Sequence, residues 1–260
     1  MNHEPQSYHR EQSNSTRQPP LADSVEGVIV CVRYADFLEH TLRHNQHHFS
    51  DLVIVTDFDD KATHDVCRSF SVTCVRTDEF YQHGDAFNKG AGINVGLARL
   101  RHRGWMLQLD ADVILPNNFR NILRKTALNP QCLYGADRVN VGSYEQYSQL
   151  LHDCHFQHQH HHRCLVTPPN LPLGSRLLHD DYGYCPIGFF QLWHTSFARE
   201  HEIRYPINCG NAEESDVSFA LQWPRAQRLL LPTVITYHLE SEPAPMGANW
   251  NGRQTKLFGQ

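Results

Sequence analysis

The segment Trp105-Met106-Leu107-Gln108-Leu109-Asp110-Ala111-Asp112-Val113-Ile114-Leu115-Pro116 constrains this chain more than any other. An apolar run suited to a buried strand ends there in two carboxylates one residue apart. Stripping water from an unpaired carboxylate is costly, so such groups are almost never left buried and alone. An Asp-x-Asp at a strand tip therefore faces solvent, caps a turn, or holds a cation. The pattern alone leaves these three open.

Earlier runs supply neighbours for that strand. Val28-Ile29-Val30-Cys31-Val32 and Leu52-Val53-Ile54-Val55 are continuous apolar stretches of the kind buried on both faces. Between them, residues 36–48 place Phe37, Leu38, Thr41 and Leu42 on one face of a helix. A helix over 61–70 and a strand over 72–75 follow. Strand, helix, strand, helix, strand predicts an α/β fold with a parallel sheet and right-handed crossovers. Open sheets of this kind bind ligands beyond the carboxyl ends of their strands. Arg33, Asp57, Asp78 and the pair Asp110/Asp112 all follow strand ends, so one rim collects the polar residues of the first half.

The second half is less regular. A polar helix or loop is expected over 143–163, irregular chain around Pro168, Pro169, Pro172 and Gly174, and a strand over 187–193. A helix over 213–223 and an extended stretch over 229–238, broken by Pro232, complete the pattern. Residues 1–24 lack apolar periodicity and are expected to be a disordered tail. The domain is expected over 25–245, with 246–260 as a C-terminal tail.

A chain of 260 residues with 40% hydrophobic content fits one large domain or two small ones, burying roughly 70–75% of its unfolded surface. The formal charge of −5 argues against a dedicated nucleic-acid binder, though not against a local basic groove. No apolar stretch approaches the roughly 18–20 residues of a membrane span, and no signal-peptide core is present. No transmembrane anchor is expected. Eight cysteines without a Cys-x-x-Cys form no obvious disulfide framework. Cys31, Cys67 and Cys74 sit as reduced core thiols do, and a cytoplasmic location is the simplest expectation.

Two further elements join the Asp-x-Asp. Glu213-Glu214-Ser215-Asp216 opens a helix, where acidic residues are also ordinary partners of the macrodipole. His238 follows an apolar strand, in a chain whose 19 histidines make chance placement a serious competitor. The stretch from Phe87 to Ala98 contains Gly90-x-Gly92-x-x-x-Gly96, a near miss of the dinucleotide fingerprint. It follows a polar loop and not the first strand, which argues against that use. The alternative is a small-residue helix face pressed against a nucleotide.

Taken together, these motifs resemble those of the GT-A-fold glycosyltransferases shared by family 2 enzymes, β-1,4-galactosyltransferases and bacterial chondroitin polymerases. Arg33 after the first strand resembles the donor-pocket arginine of the galactosyltransferases. Phe87, Asn88, Gly90, Asn94 and Gly96 match their Phe-Asn-x-(Ala/Gly)-x-x-x-Asn-x-Gly helix, and Asp110, Asp112 and Pro116 match their Asp-x-Asp before an apolar pair and proline. Ile187-Gly188-Phe189-Phe190 resembles a donor-sugar strand. Gly210-Asn211-Ala212-Glu213-Glu214-Ser215-Asp216 is similar to a Gly-rich loop leading into Glu-Asp-x-Asp, and His238 falls where a metal-ligand histidine stands. The resemblance covers roughly residues 25–240. It departs at Glu214, where an aspartate is usual, and over 143–185, which match nothing in these families.

The resemblance implies a GT-A fold and a metal-dependent, inverting transfer of sugar from a nucleotide-sugar, UDP-linked by expectation, to an acceptor hydroxyl. Oxygen-rich ligation with one imidazole suits Mn²⁺ or Mg²⁺. Asp112 and His238 are the implied ligands, with Asp110 nearer the ribose or a metal-bound water. Glu214 is the implied general base and Glu213 its competitor, with Asp216 holding the acceptor or the helix start. Arg33, Asp57, Phe87, Asn88, Lys89, Asn94, Asp110 and Gly188 are the implied donor-binding set, with Asp57 on the uracil or ribose. The acceptor stays open among glycan, small molecule and modified nucleic acid.

Two other classes compete: a catalytically silent nucleotide- or carbohydrate-binding domain, and a nucleotidyltransferase. The second would need a Gly-rich basic signature after the first strand, where Arg33-Tyr34-Ala35-Asp36 stands. The run His152, His155, His158, His160, His161 and His162, flanked by Cys154 and Cys164, invites zinc. Its spacing fits no standard finger, and a solvated helix or acceptor-facing loop is the simpler expectation.

Overall fold

A computed structural model describes residues 24–152, 174, 176–243 and 247–259. The expected N-terminal tail (all but Ser24) and the histidine-rich run beyond His152 lie outside those residues.

The chain opens with β1 (Val25–Val30), α1 (Ala35–Asn45), β2 (Asp51–Thr56), α2 (Lys61–Ser69) and β3 (Thr73–Arg76). Then come α3 (Lys89–Leu97), β4 (Trp105–Leu109), β5 (Val113–Ile114), α4 (Phe119–Lys125), β6 (Leu133–Val141) and α5 (Tyr144–His152). A small hairpin, β7 (Leu177–His179) and β8 (Gly183–Cys185), precedes β9 (Phe190–His194), α6 (Thr195–Glu200), α7 (Ala212–Ala220) and β10 (Arg228–Leu239). Eight strands form one sheet in the order β3-β2-β1-β4-β9-β6-β10-β5. The run from β3 to β4 and the pair β6/β10 are parallel. β9 is antiparallel to both β4 and β6, and β5 to β10. The expected α/β architecture, a largely parallel sheet flanked by helices, is present.

Alternation within the apolar runs explains the layers. Ile29, Ile54 and Leu107 pack on one face with Leu38 and Leu42 of α1, Cys67 of α2 and Phe119 of α4. Val28, Val30, Val53, Val55 and Met106 pack on the other, against Ile93 of α3, Phe197 of α6 and Phe219 of α7. Successive strand residues point to opposite faces, so both layers draw on the same continuous runs. Each such side chain contributes roughly 1.5–3 kcal/mol when fully buried.

The glycines of α3 serve this packing. A Cβ at Gly96 would lie 2.5 Å from Val28 and 2.6 Å from Val55, one at Gly92 2.1 Å from the Phe80 ring, and one at Gly90 2.9 Å from the Pro206 carbonyl. The small-residue face expected against a nucleotide thus meets protein. β10 changes register between Leu231 and Ile235, around Pro232, which has no N–H for the ladder. β6 escapes the sequence reading because Asp137, Arg138 and Asn140 interrupt its apolar character.

Residues 247–259, set apart above as a tail, pack onto the domain. Phe258 is buried against Phe37, ring centroids 4.7 Å apart. Arg253 pairs with Asp36 and lies 4.7 Å over the Tyr34 ring. The Ala212 N–H donates to the Trp250 carbonyl at 3.0 Å, tying this segment to the start of α7. No helix among the described residues is long and apolar enough to cross a membrane.

Candidate functional site

A cavity of about 830 Å³ opens at the strand rim, walled by Arg33, Lys89, Asp110, Asp112, Asp216 and His238 among others. Its size falls within the usual 300–1,000 Å³ of ligand pockets. The C-terminal segment closes one side through Trp250 and its neighbours.

Asp112 and His238 are brought together by strand pairing. His238 lies opposite Val113 across the β5/β10 ladder, and the Leu239 N–H donates to the Asp112 carbonyl at 2.8 Å. His238 Nε2 consequently stands 3.8 Å from Asp112 Oδ2, while its Nδ1 is 3.3 Å from Glu240 Oε1. Asp112 Oδ1 is buried without a hydrogen-bond partner. Burial raises the Asp112 pKa, opposed by His238.

This arrangement fits a divalent cation. One Asp112 oxygen is orphaned, and the His238 imidazole directs one nitrogen toward the other oxygen while its second nitrogen is held by Glu240, as metal-bound histidines usually are. No group of three or more His, Cys, Asp and Glu side chains able to hold a metal occurs among the described residues. A cation held by Asp112 and His238 would therefore need further oxygens from substrate or water.

Lys89 enters differently from the expectation that it meets the donor. It is buried, and its ammonium lies 2.7 Å from Asp110, 3.1 Å from Asp216 and 3.3 Å from the Gly188 carbonyl. Burial opposes its charge, but the two carboxylates outweigh this and hold its pKa above the ordinary lysine value. Burial, reinforced by the Asp110 charge, pushes Asp216 up to about 7 despite Lys89. One ammonium faces two carboxylates, and the buried one, Asp216, carries the cost. Gly188 is required beneath Asp216, because a Cβ there would lie 1.8 Å from the carboxylate.

The acidic pair that opens α7 separates. Glu213 lines the cavity. Glu214 is exposed and accepts from the Gly210 N–H at 2.9 Å, while its own N–H donates to the Asn211 side chain at 3.0 Å. This is helix-start capping geometry. Glu214, expected as the base, therefore does not face the cavity.

Several donor-set residues prove to be braces. Asp57 Oδ1 accepts from the Asp59 and Asp60 N–H groups and does not line the cavity. Asn88 caps α3 through the Ala91 N–H and donates to Asp85 and the Ile207 carbonyl. Asn94 exchanges two hydrogen bonds with the Tyr205 backbone. Arg33, Phe87, Lys89, Asp110 and Gly188 do line the cavity. Arg33 adopts φ +63°, a conformation stabilised as its N–H donates to Asp60 at 2.5 Å. Asp60, Arg138, Asn140, Glu240 and Trp250 were not anticipated. None belongs to a motif, and only Glu240, two residues past His238, left a positional hint.

No family model matches this chain, and no curated protein matches it. Among solved structures, mannosyl-3-phosphoglycerate synthase from Rubrobacter xylanophilus is similar at 19% identity over 44% of this chain, with a TM-score of 0.36. This chain spans 40% of that enzyme's length. Glucosyl-3-phosphoglycerate synthase from Mycobacterium tuberculosis, solved with Mn²⁺, UDP and glucosyl-3-phosphoglycerate, is similar at 9% identity over 85% of this chain and 73% of its own, with a TM-score of 0.48. Its complex with Mn²⁺, UDP-glucose and glycerol 3-phosphate scores 0.48 at 10% identity, over the same shares.

Proposed function

We propose that this chain is a metal-dependent glycosyltransferase of the GT-A type, moving a sugar from a nucleotide-sugar, UDP-linked in the first instance, to an acceptor hydroxyl. The observation that carries this reading is the Asp112–His238 pair, with its orphaned carboxylate oxygen and its imidazole backed by Glu240. Mn²⁺ or Mg²⁺ bound there would act as Lewis acid and template for the leaving diphosphate.

The protein's own groups then divide the work. Arg33, without an ion-pair partner among the described residues, holds donor phosphate. The Lys89 ammonium ties Asp110, Asp216 and the Gly188 carbonyl together, and the donor sugar lies against Gly188. Glu213 takes the proton from the acceptor hydroxyl, replacing Glu214, whose carboxylate caps the helix. A base acting from the face opposite the diphosphate implies inversion at the anomeric carbon.

A donor screen tests this reading. UDP-, GDP- and dTDP-sugars are incubated with and without Mn²⁺, and hydrolysis is followed by release of the nucleotide. Metal-dependent hydrolysis of one donor class supports the reading. Tight nucleotide binding without turnover in any acceptor mixture favours a silent binding domain.

A further inference from the structure

Five lysine and arginine side chains line the cavity. Lys89 is neutralised by Asp110 and Asp216, Arg176 by Asp137, and Arg253 by Asp36. Arg33 and Arg138 have no ion-pair partner among the described residues. On the proposed reading, a divalent cation and Arg33 serve the donor diphosphate beside Asp112, and Arg138 makes no ion pair with the cavity's remaining carboxylates, Glu213 and Glu240.

Arg138 is built into its place. Its guanidinium carbon lies 4.6 Å from the centroid of the Phe189 ring, a cation–π contact. Gly174 packs against the stem: its N–H donates to the Arg138 carbonyl at 2.9 Å, and a Cβ there would lie 2.6 Å from Nε. Nε is buried and without a hydrogen-bond partner. An unpaired cation beside low-dielectric walls attracts an anion far more strongly than one in water. Two residues along β6, Asn140 lines the same cavity in register with His238, and its Oδ1 is likewise buried and unpartnered. An amide side chain can donate to or accept from an oxygen-bearing ligand, and a guanidinium binds a planar or tetrahedral oxyanion.

The geometry points to a second anion-binding subsite at Arg138 and Asn140, taking a carboxylate or phosphate group carried by the acceptor. The acceptor is then an acidic hydroxyl compound. This deepens the glycosyltransferase reading and rests on it.

Two arms test it. In the first, inorganic sulfate is titrated by calorimetry into protein saturated with UDP and Mn²⁺. Sulfate is expected to bind beside UDP, at least tenfold more weakly in Arg138→Gln, with Arg138→Lys between. Asn140→Asp, which sets a carboxylate against the anion, weakens it too, and melting temperatures of all variants confirm that they are folded. Displacement of sulfate by UDP would assign Arg138 to the donor diphosphate and overturn the proposal, as would affinity unchanged in Arg138→Gln.

In the second arm, glucose, glucuronic acid and glucose 6-phosphate are offered as matched acceptors. At least one charged member is expected to exceed glucose tenfold in kcat/KM, and Arg138→Gln to erase that preference through KM. Equal use of all three overturns the proposal. Failure of the glycosyltransferase reading looks different: UDP does not bind with Mn²⁺, while the sulfate site, titrated on the protein alone, remains.

Discussion

Lys89 Nζ lies 2.7 Å from Asp110 Oδ1, on a side chain 7% exposed, and the same ammonium reaches Asp216 at 3.1 Å. The tip of β4 and the first turns of α7 are therefore tied by one buried cation. Removing it strands two carboxylates. Lys89→Met should cost about 3–5 kcal/mol of unfolding free energy, the usual loss when one partner of a buried pair is deleted. Lys89→Met with Asp216→Asn should recover part of that cost. Equal denaturant midpoints for the two variants would show that Asp216 does not depend on Lys89.

Glu213 and Glu214 should separate catalysis from capping. Glu213→Gln keeps the shape but removes the basicity, so transfer should fall about 10²- to 10⁴-fold with donor affinity preserved. Glu214→Gln should lower stability by less than about 2 kcal/mol, as a weakened helix start does, and leave transfer largely intact. The reverse pattern in steady-state rates would return the base to Glu214.

These two residues show where sequence stops speaking. Position along a helix turns by about 100° per residue, so neighbouring glutamates face different surroundings. One motif holds both carboxylates; capping bonds at Gly210 and Asn211 hold Glu214, while Glu213 lines the cavity. The strands were legible because double burial demands unbroken apolar runs, as in β1, β2 and β4. The Asp-x-Asp was legible because those runs end abruptly in charge. Asn88 and Asn94 matched a motif, yet their amides hold backbone at Ile207 and Tyr205, a contact no local pattern reveals. Arg253 meets Asp36 across 217 positions, and Arg138 reaches the cavity only because β6 pairs with β10.

His48 should make the fold acid-sensitive. It is 1% exposed, both ring nitrogens lack partners, and burial, aided by the charges of His47 and Arg120, pushes its pKa down to about 3. The folded value lies below the ordinary 6.5. The neutral ring's stability is thus present above pH 6.5 and is lost as pH falls from there toward 3. His48→Leu should flatten this slope, and its melting temperature relative to wild type should rise steadily between pH 7 and pH 5. A constant difference across that range would contradict the assignment.

The C-terminal segment should be part of the domain's stability. Phe258 stacks on Phe37 and meets Tyr144 and Tyr147 beside the cavity wall. Phe258→Ala should destabilise by about 3–5 kcal/mol, as buried phenylalanine truncations do. Deleting residues 247–260 should lower the melting temperature further and weaken UDP binding, since the cavity loses a side. An unchanged melting temperature on deletion would show that the segment contributes no packing in solution.

Calorimetric titration of UDP into wild-type protein and Asp112→Ala, each with and without Mn²⁺, tests the central claim most directly. Asp112 presents a buried, unpartnered oxygen beside His238, so metal-dependent nucleotide binding should run through it. Mn²⁺ is expected to tighten UDP binding to the wild type at least tenfold and to leave Asp112→Ala indifferent, with both proteins folded by circular dichroism. The same Mn²⁺ enhancement in Asp112→Ala would contradict the account and place the metal elsewhere.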